Sequence, residues 1–135
     1  MQVFCDGAFS KKPLSAGVGA TFSYQGEQFD LSRRVEPDDS NKVELKALTY
    51  SLKFVLEVLG ESAAKTLDVS LHSDSDYVER EKELQTDSWK EVEGLFSHFS
   101  SVSLTIVKSH RGAKNHVSLM NEHVDRLAKS AMRAE

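Results

Sequence analysis

Hydrophobic and polar positions along this chain follow two rhythms. A period of two governs the first 35 residues. "QVFCDGAFS" (2–10) reads as a strand that breaks at Gly7, "AGVGATFSY" (16–24) puts Val18, Ala20, Phe22 and Tyr24 on one side, and "EQFDLSRRV" (27–35) alternates Phe29, Leu31, Arg33 and Val35. "QG" at 25–26 predicts a tight turn joining the second and third runs. "SKKPLSAG" predicts a loop of moderate length between the first and second. Three antiparallel strands follow from this pattern.

The period then changes. After the turn cluster "EPDDSNK", the segment "VELKALTYSLKFVLEVLG" (43–60) carries Leu45, Leu48, Leu52, Val55 and Leu59 at helical spacing, and Gly60 ends it. Alternation returns at Leu67, Val69 and Leu71, so a strand follows a long helix, the connection a parallel pairing needs. "DYVEREKEL" and "SWKEVEGLFSHF" predict two further helices, the second with Val92, Leu95, Phe96 and Phe99 in register and Trp89 as a packing residue. "SVSLTIVKS" predicts a fifth strand, and "SLMNEHVDRLAKSAMRAE" a closing helix that turns Val124, Leu127, Ala128 and Ala131 to the core. The order β-β-β-α-β-α-α-β-α predicts an α/β fold: a five-stranded mixed sheet, three strands antiparallel and two parallel, flanked by helices. Ligands gather near the ends of the central parallel strands of such sheets.

Composition narrows the class. A chain of 135 residues without repeat, low-complexity tract or linker is expected to form one domain over residues 1–135. No apolar run reaches the ~20 residues that span a bilayer, and "MQVFCDGAFS" lacks a signal peptide's basic head, so a cytoplasmic protein with no membrane partner is expected, monomeric by default. The single cysteine, Cys5, leaves no internal disulfide or cysteine zinc cage and reads as a small buried strand residue. A net charge of −4 argues against a bulk polyanion binder. The charge is uneven, however: residues 108–135 carry six Lys/Arg against three acids, or +3, which leaves −7 for residues 1–107. A basic C-terminal segment suits a docking face about as well as a solvated helix surface.

The candidate chemistry is carboxylate chemistry. Asp6 interrupts an apolar strand, where a lone buried carboxylate must be paired, protonated or bound to a cation. Glu44 opens the long helix, where a helix-dipole role is available. Asp74 ends the fourth strand beside Asp76, and either could cap the helix that follows. Asp125 sits next to Val124 on the inward stripe of the last helix. This topology can set the strands of Asp6 and Asp74 side by side, with the helix of Glu44 packed over them. Crowded carboxylates without thiolates suit Mg²⁺ or Mn²⁺, and a pair of such ions can clamp both oxygens of a phosphodiester displacement. The five histidines show no zinc-ligand spacing, and there is no phosphate-binding glycine loop or G-x-S-x-G elbow.

The local words and their order resemble type 1 ribonuclease H over nearly the whole chain. "FCDGAF" is similar to that family's first-strand D-G motif, "SNKVELKAL" to its N-x-x-E-L helix start, and "HSDSDYV" to its D-S-x-Y-V strand end. "VKSHRG" is similar to its K-G-H loop and "NEHVDRLAKSA" to its N-E-x-x-D-x-L-A helix. The resemblance implies a ribonuclease H-like fold and makes Asp6, Glu44, Asp74 and Asp125 the metal-binding catalytic carboxylates, served by two Mg²⁺ ions, with Mn²⁺ a substitute. It makes His110 the loop histidine that assists proton transfer or product release. Ser40, Asn41, Asp76, Lys108 and Arg111 are the substrate-binding candidates, with Asn41 at the minor groove, where 2′-hydroxyls distinguish RNA from DNA.

The implied activity is hydrolysis of the RNA strand of RNA/DNA hybrids to 5′-phosphate and 3′-hydroxyl ends. A nuclease of the same fold acting on other nucleic acids is one alternative, and a catalytically weakened nucleic-acid-binding or assembly module is another. Four departures from the family stand out, the first being that its glycine-rich loop after the first strand is reduced to "SKKPLSAGVG". Asp76 replaces a common amide, Asp39 and Ser40 stand where threonine and asparagine are common, and only "EREKELQTD" occupies the place of the basic protrusion. That loss predicts a weaker grip on the hybrid, which a protein partner could supplement.

Overall fold

The computed structural model describes residues 1–107 and 115–133. Its elements are β1 (Gln2–Lys11), β2 (Leu14–Tyr24), β3 (Glu27–Val35), α1 (Ser40–Leu59), the short α2 (Glu61–Ala64), β4 (Asp68–Ser73), α3 (Asp76–Leu84), α4 (Asp87–Glu93), a 3₁₀ turn (Phe96–His98), β5 (Ser101–Ile106) and α5 (His116–Arg133). The strands form one sheet in the order β3-β2-β1-β4-β5. β1, β2 and β3 are antiparallel, while β4 is parallel to both β1 and β5. The expected mixed sheet is therefore present. No helix among the described residues is long and apolar enough to cross a membrane.

Several boundaries differ from the sequence reading. β1 does not break at Gly7 but continues to Lys11, pairing with β2 through Lys11↔Leu14. The expected loop shrinks to Lys12 and Pro13, joined by a cis bond. A glycine weakens a strand locally, but nine consecutive rungs with β2 outweigh one unfavourable residue. The second hairpin turns at Gln25 and Gly26, both with positive φ, as the "QG" pair predicted. The helix expected over 88–99 ends at Glu93 and resumes as a 3₁₀ turn, with Gly94 at the break. Trp89 is fully buried, and its indole N–H donates to Glu93 at 3.1 Å.

The two faces of the sheet are built differently. Alternation puts Val3, Cys5, Gly7, Val18, Ala20 and Phe22 on one face, where α1 packs Val43, Leu48, Leu52 and Val55 to complete the apolar core. Phe4, Asp6, Ala8, Gly17, Gly19 and Thr21 share the opposite face. There α5 lies so close that a Cβ at Gly17 or Gly19 would collide with the helix backbone at Ala128, Met132 and Val124. Glycine is required at both positions by this approach.

Candidate active site

β1 and β4 pair only as far as Phe4↔His72. Asp6 and Asp74 each lie two residues beyond that rung, at the mouth where the strands part. α1 brings the third carboxylate. Asp39 caps this helix, its side chain accepting from the Lys42 N–H at 2.8 Å, so the helix begins at Ser40 and Glu44 lies beyond its first turn. The helix-dipole reading of Glu44 is thereby corrected. Its carboxylate instead accepts the Gly7 N–H at 2.7 Å, and the same N–H reaches Asp6 Oδ1 at 2.9 Å. A Cβ at Gly7 would sit 2.7 Å from Glu44 Oε1 and 2.9 Å from the Val43 carbonyl, so this strand residue must be bare for α1 to reach the cluster.

The capping reading of the fourth-strand acids is also corrected. Ser75 caps α3, its hydroxyl accepting the Val78 N–H at 3.3 Å, and neither Asp74 nor Asp76 is needed for that. Asp74 is left free to face the cleft, and Asp76 becomes the first residue of α3.

Asp6, Glu44 and Asp74 each offer an oxygen within 4.8 Å of the others. They line an open cleft of about 380 Å³ together with Gly7, Phe9, Ser40, Asn41, Ser75, Asp76, Tyr77 and Asp125. Asp125 comes from α5 and lines the same cleft, close enough to Asp6 to add to the rise of its carboxyl, while its own carboxylate is held by Lys129 at 3.0 Å. Among the described residues no lysine or arginine pairs with Asp6, Glu44 or Asp74. Burial, then the charges of Glu44 and Asp74, pushes the Asp6 carboxyl up to about 10. Burial, then Asp74, pushes Glu44 up to about 7 against the lowering effect of the Gly7 N–H. A cluster this loaded holds protons or cations. Three hard oxygen donors at this separation fit a divalent cation of the Mg²⁺ or Mn²⁺ type.

Ser40, Asn41 and Asp76 line the same cleft as the four acids. His110, Lys108 and Arg111 lie outside the described residues. The sequence reading missed Phe9 and Tyr77, which give the cleft an aromatic edge. It also missed Gly7 as an N–H donor, although its position directly after a mid-strand aspartate was the available signal.

Residues 1–133 match the family model described as RNase H. The chain is 29% identical to ribonuclease HI of Helicobacter pylori, over 96% of this chain and 90% of that one. It is 27% identical to ribonuclease H of Nitrosomonas eutropha, over 95% and 86% respectively. Among solved structures, RNase H1 of the halophilic archaeon Halobacterium salinarum superposes with a TM-score of 0.73 at 23% identity, covering 96% of this chain and 95% of that one. LC11-RNase H1 in complex with an RNA/DNA hybrid superposes with a TM-score of 0.75 at 14% identity, covering 97% and 95%.

Proposed function

This chain belongs to the RNase H family, and we propose that it hydrolyses the RNA strand of RNA/DNA hybrids to 5′-phosphate and 3′-hydroxyl ends, with residues 1–135 acting as one catalytic domain. The observation that carries the reading is the convergence of Asp6, Glu44 and Asp74 at the fork between β1 and β4, with Asp125 lining the same cleft. The hybrid bound to LC11-RNase H1 supports the choice of substrate.

In this reading Asp6, Glu44, Asp74 and Asp125 hold two divalent cations, Mg²⁺ with Mn²⁺ as a substitute. Divalent ions held by these residues would supply an activated water and charge to offset that of the phosphate. The chain's own part is to position the carboxylates so that cations can take the place of the protons they otherwise hold. The Gly7 N–H fixes Glu44 and Asp6 against each other, and Lys129 holds Asp125. Ser40 and Asn41, at the start of α1, offer hydroxyl and amide groups to the hybrid's sugars and base edges. Asp76 accepts only, so it suits 2′-hydroxyl donors and disfavours a phosphate at that place. His110 is assigned to proton transfer or product release, and Lys108 and Arg111 to substrate contact.

The test is a gel assay of a labelled RNA/DNA hybrid beside duplex RNA, duplex DNA and single-stranded RNA, with Mg²⁺ or Mn²⁺. Cleavage of the hybrid's RNA strand alone, lost in Asp74→Asn, is the expected result. Cleavage confined to another lane would replace this substrate assignment with that of a nuclease of the same fold acting elsewhere.

A further inference from the structure

Two cations of the basic C-terminal segment, Arg126 and Arg133, find no use in the carboxylate cleft. In α5 the segment's cations are not scattered. Arg126, Lys129 and Arg133 are spaced three and four residues apart, which aligns them on one side of the helix over about 10 Å of its length. All three are exposed, and with Ser130 they line a shallow depression of about 520 Å³. Among the described residues no carboxylate lines that depression. Lys129 is held by Asp125, and neither Arg126 nor Arg133 forms an ion pair among the described residues.

The stripe is continuous with the cleft. Asp125 lines the cleft and bonds Lys129, which lines the depression, so one ion pair joins the two surfaces. Direction follows from packing: the α5 backbone lies over Gly19 at Val124 and Ala128, and over Gly17 at Ala128 and Met132. Gly19 pairs with Asp6 and Gly17 with Ala8, so the stripe leads away from Asp6 along the outer half of β1.

A cleft with five acids repels a polyanion, and a protein of net charge −4 gives no general attraction to offset it. The cations that hold a nucleic acid against such a site must be local and next to it. We propose that Arg126, Lys129, Ser130 and Arg133 form a track for the phosphodiester backbone of the substrate as it leaves the cleft. This rests on the proposed function for the identity of the nucleic acid and adds where its backbone is held. Each phosphate neutralised there releases counterion, which makes the track visible as a salt dependence.

The experiment measures binding apart from cleavage, by fluorescence anisotropy of a labelled RNA/DNA hybrid in an Asp74→Asn background. Dissociation constants are taken from about 0.05 to 0.3 M salt. Replacing both arginines with glutamine (Arg126→Gln with Arg133→Gln) is expected to weaken binding about tenfold or more at 0.1 M and to lower the slope of log affinity against log salt by about 1.8. The charge-keeping pair Arg126→Lys with Arg133→Lys should retain the slope. Lys65→Gln, in the exposed turn after α2, should leave affinity and slope unchanged. Unchanged affinity and slope in the glutamine pair overturn the track, and with it nucleic acid as the occupant of this face. Hybrid binding that depends on the arginines in a protein whose parent chain cuts no hybrid overturns the cleavage assignment and leaves the track standing. Failure of the parent chain both to bind and to cut the hybrid overturns both.

Discussion

The two faces of the sheet divide the work of the molecule. Toward α1 the sheet shows Val3, Cys5, Val18, Ala20 and Phe22, and the helix answers with Leu48, Leu52 and Val55, so this side is dry and close-packed. Toward α5 it shows Asp6, Gly17, Gly19 and Thr21, and the helix backbone comes down onto the two glycines. The Ser32 hydroxyl donates to the Leu127 carbonyl at 2.7 Å, and Thr21 donates to Asp30, which also binds His123 at 2.9 Å. Burial alone would raise the Asp30 carboxyl, but hydrogen bonds from Thr21, Gln28 and His123 outweigh it and hold the group below the usual range. One face supplies stability that does not depend on chemistry. The other gives up apolar area so that carboxylates can sit within the fold.

The comparison is sharpest in the pH dependence of the metal-free protein. Asp6 and Glu44 titrate higher in the folded chain than in an unfolded one, so between about pH 4 and their folded values the native state holds extra protons. Stability is then fully present at low pH and falls as pH rises. Each pH unit with one extra native-state proton costs about 1.4 kcal/mol, so Asp6 alone accounts for about 4 kcal/mol between pH 5 and pH 8. Urea melts in EDTA across that range should show the decline. Asp6→Asn should flatten it, and added Mg²⁺ should oppose it. A flat profile in the parent chain would show that the polar face carries no such load.

Truncating the opposite face should cost stability without touching chemistry. Leu52→Ala, fully buried on α1 two turns beyond Glu44, is expected to lose about 2–5 kcal/mol in urea unfolding while the folded fraction keeps its rate of hybrid cleavage. A lost rate at full folding would mean the apolar face shapes the site as well. Gly19→Ala should do the reverse. Its Cβ would meet Val124 and Ala128 backbone, so a cost of about 1–3 kcal/mol should come with a loss of cleavage as α5 and Asp125 are pushed outward. The smallest effect is expected for Ser32→Ala, about 0.5–1.5 kcal/mol from one hydrogen bond to α5, read as a shift in the urea midpoint.

Much of this division could be read from the chain. The alternations around Val18 and Phe22 and the stripe from Leu45 to Leu59 identified the apolar face, because burial leaves a periodic mark. Asp6 and Asp125 stood out because charge at or beside an inward position contradicts that mark, and Asp74 because a strand ended in carboxylates, whereas Glu44 was singled out mainly by the topology and the family resemblance. The glycines were illegible for the opposite reason. Gly7 looked like a strand break and Gly17 and Gly19 drew no reading of their own, since what they accommodate is the backbone of a helix 36 or more residues distant in sequence. The cap of α3 was misassigned on the same ground. Asp74, Ser75 and Asp76 are all competent N-caps, and only the strand and helix ends decide which one serves.

The short ladder between β1 and β4 has its own consequence. These strands exchange three rungs, whereas β1 and β2 exchange nine, so the pair behaves like a fastener stopped partway. Asp6 and Asp74 stand on opposite lips of the opening just past the stop. Two more rungs would make them direct neighbours at the roughly 4.8 Å spacing of paired strands. The cleft would then close at its base. The width of the site is therefore set by where pairing ends, and a change that lengthened this ladder would disable the site without altering any of its acids.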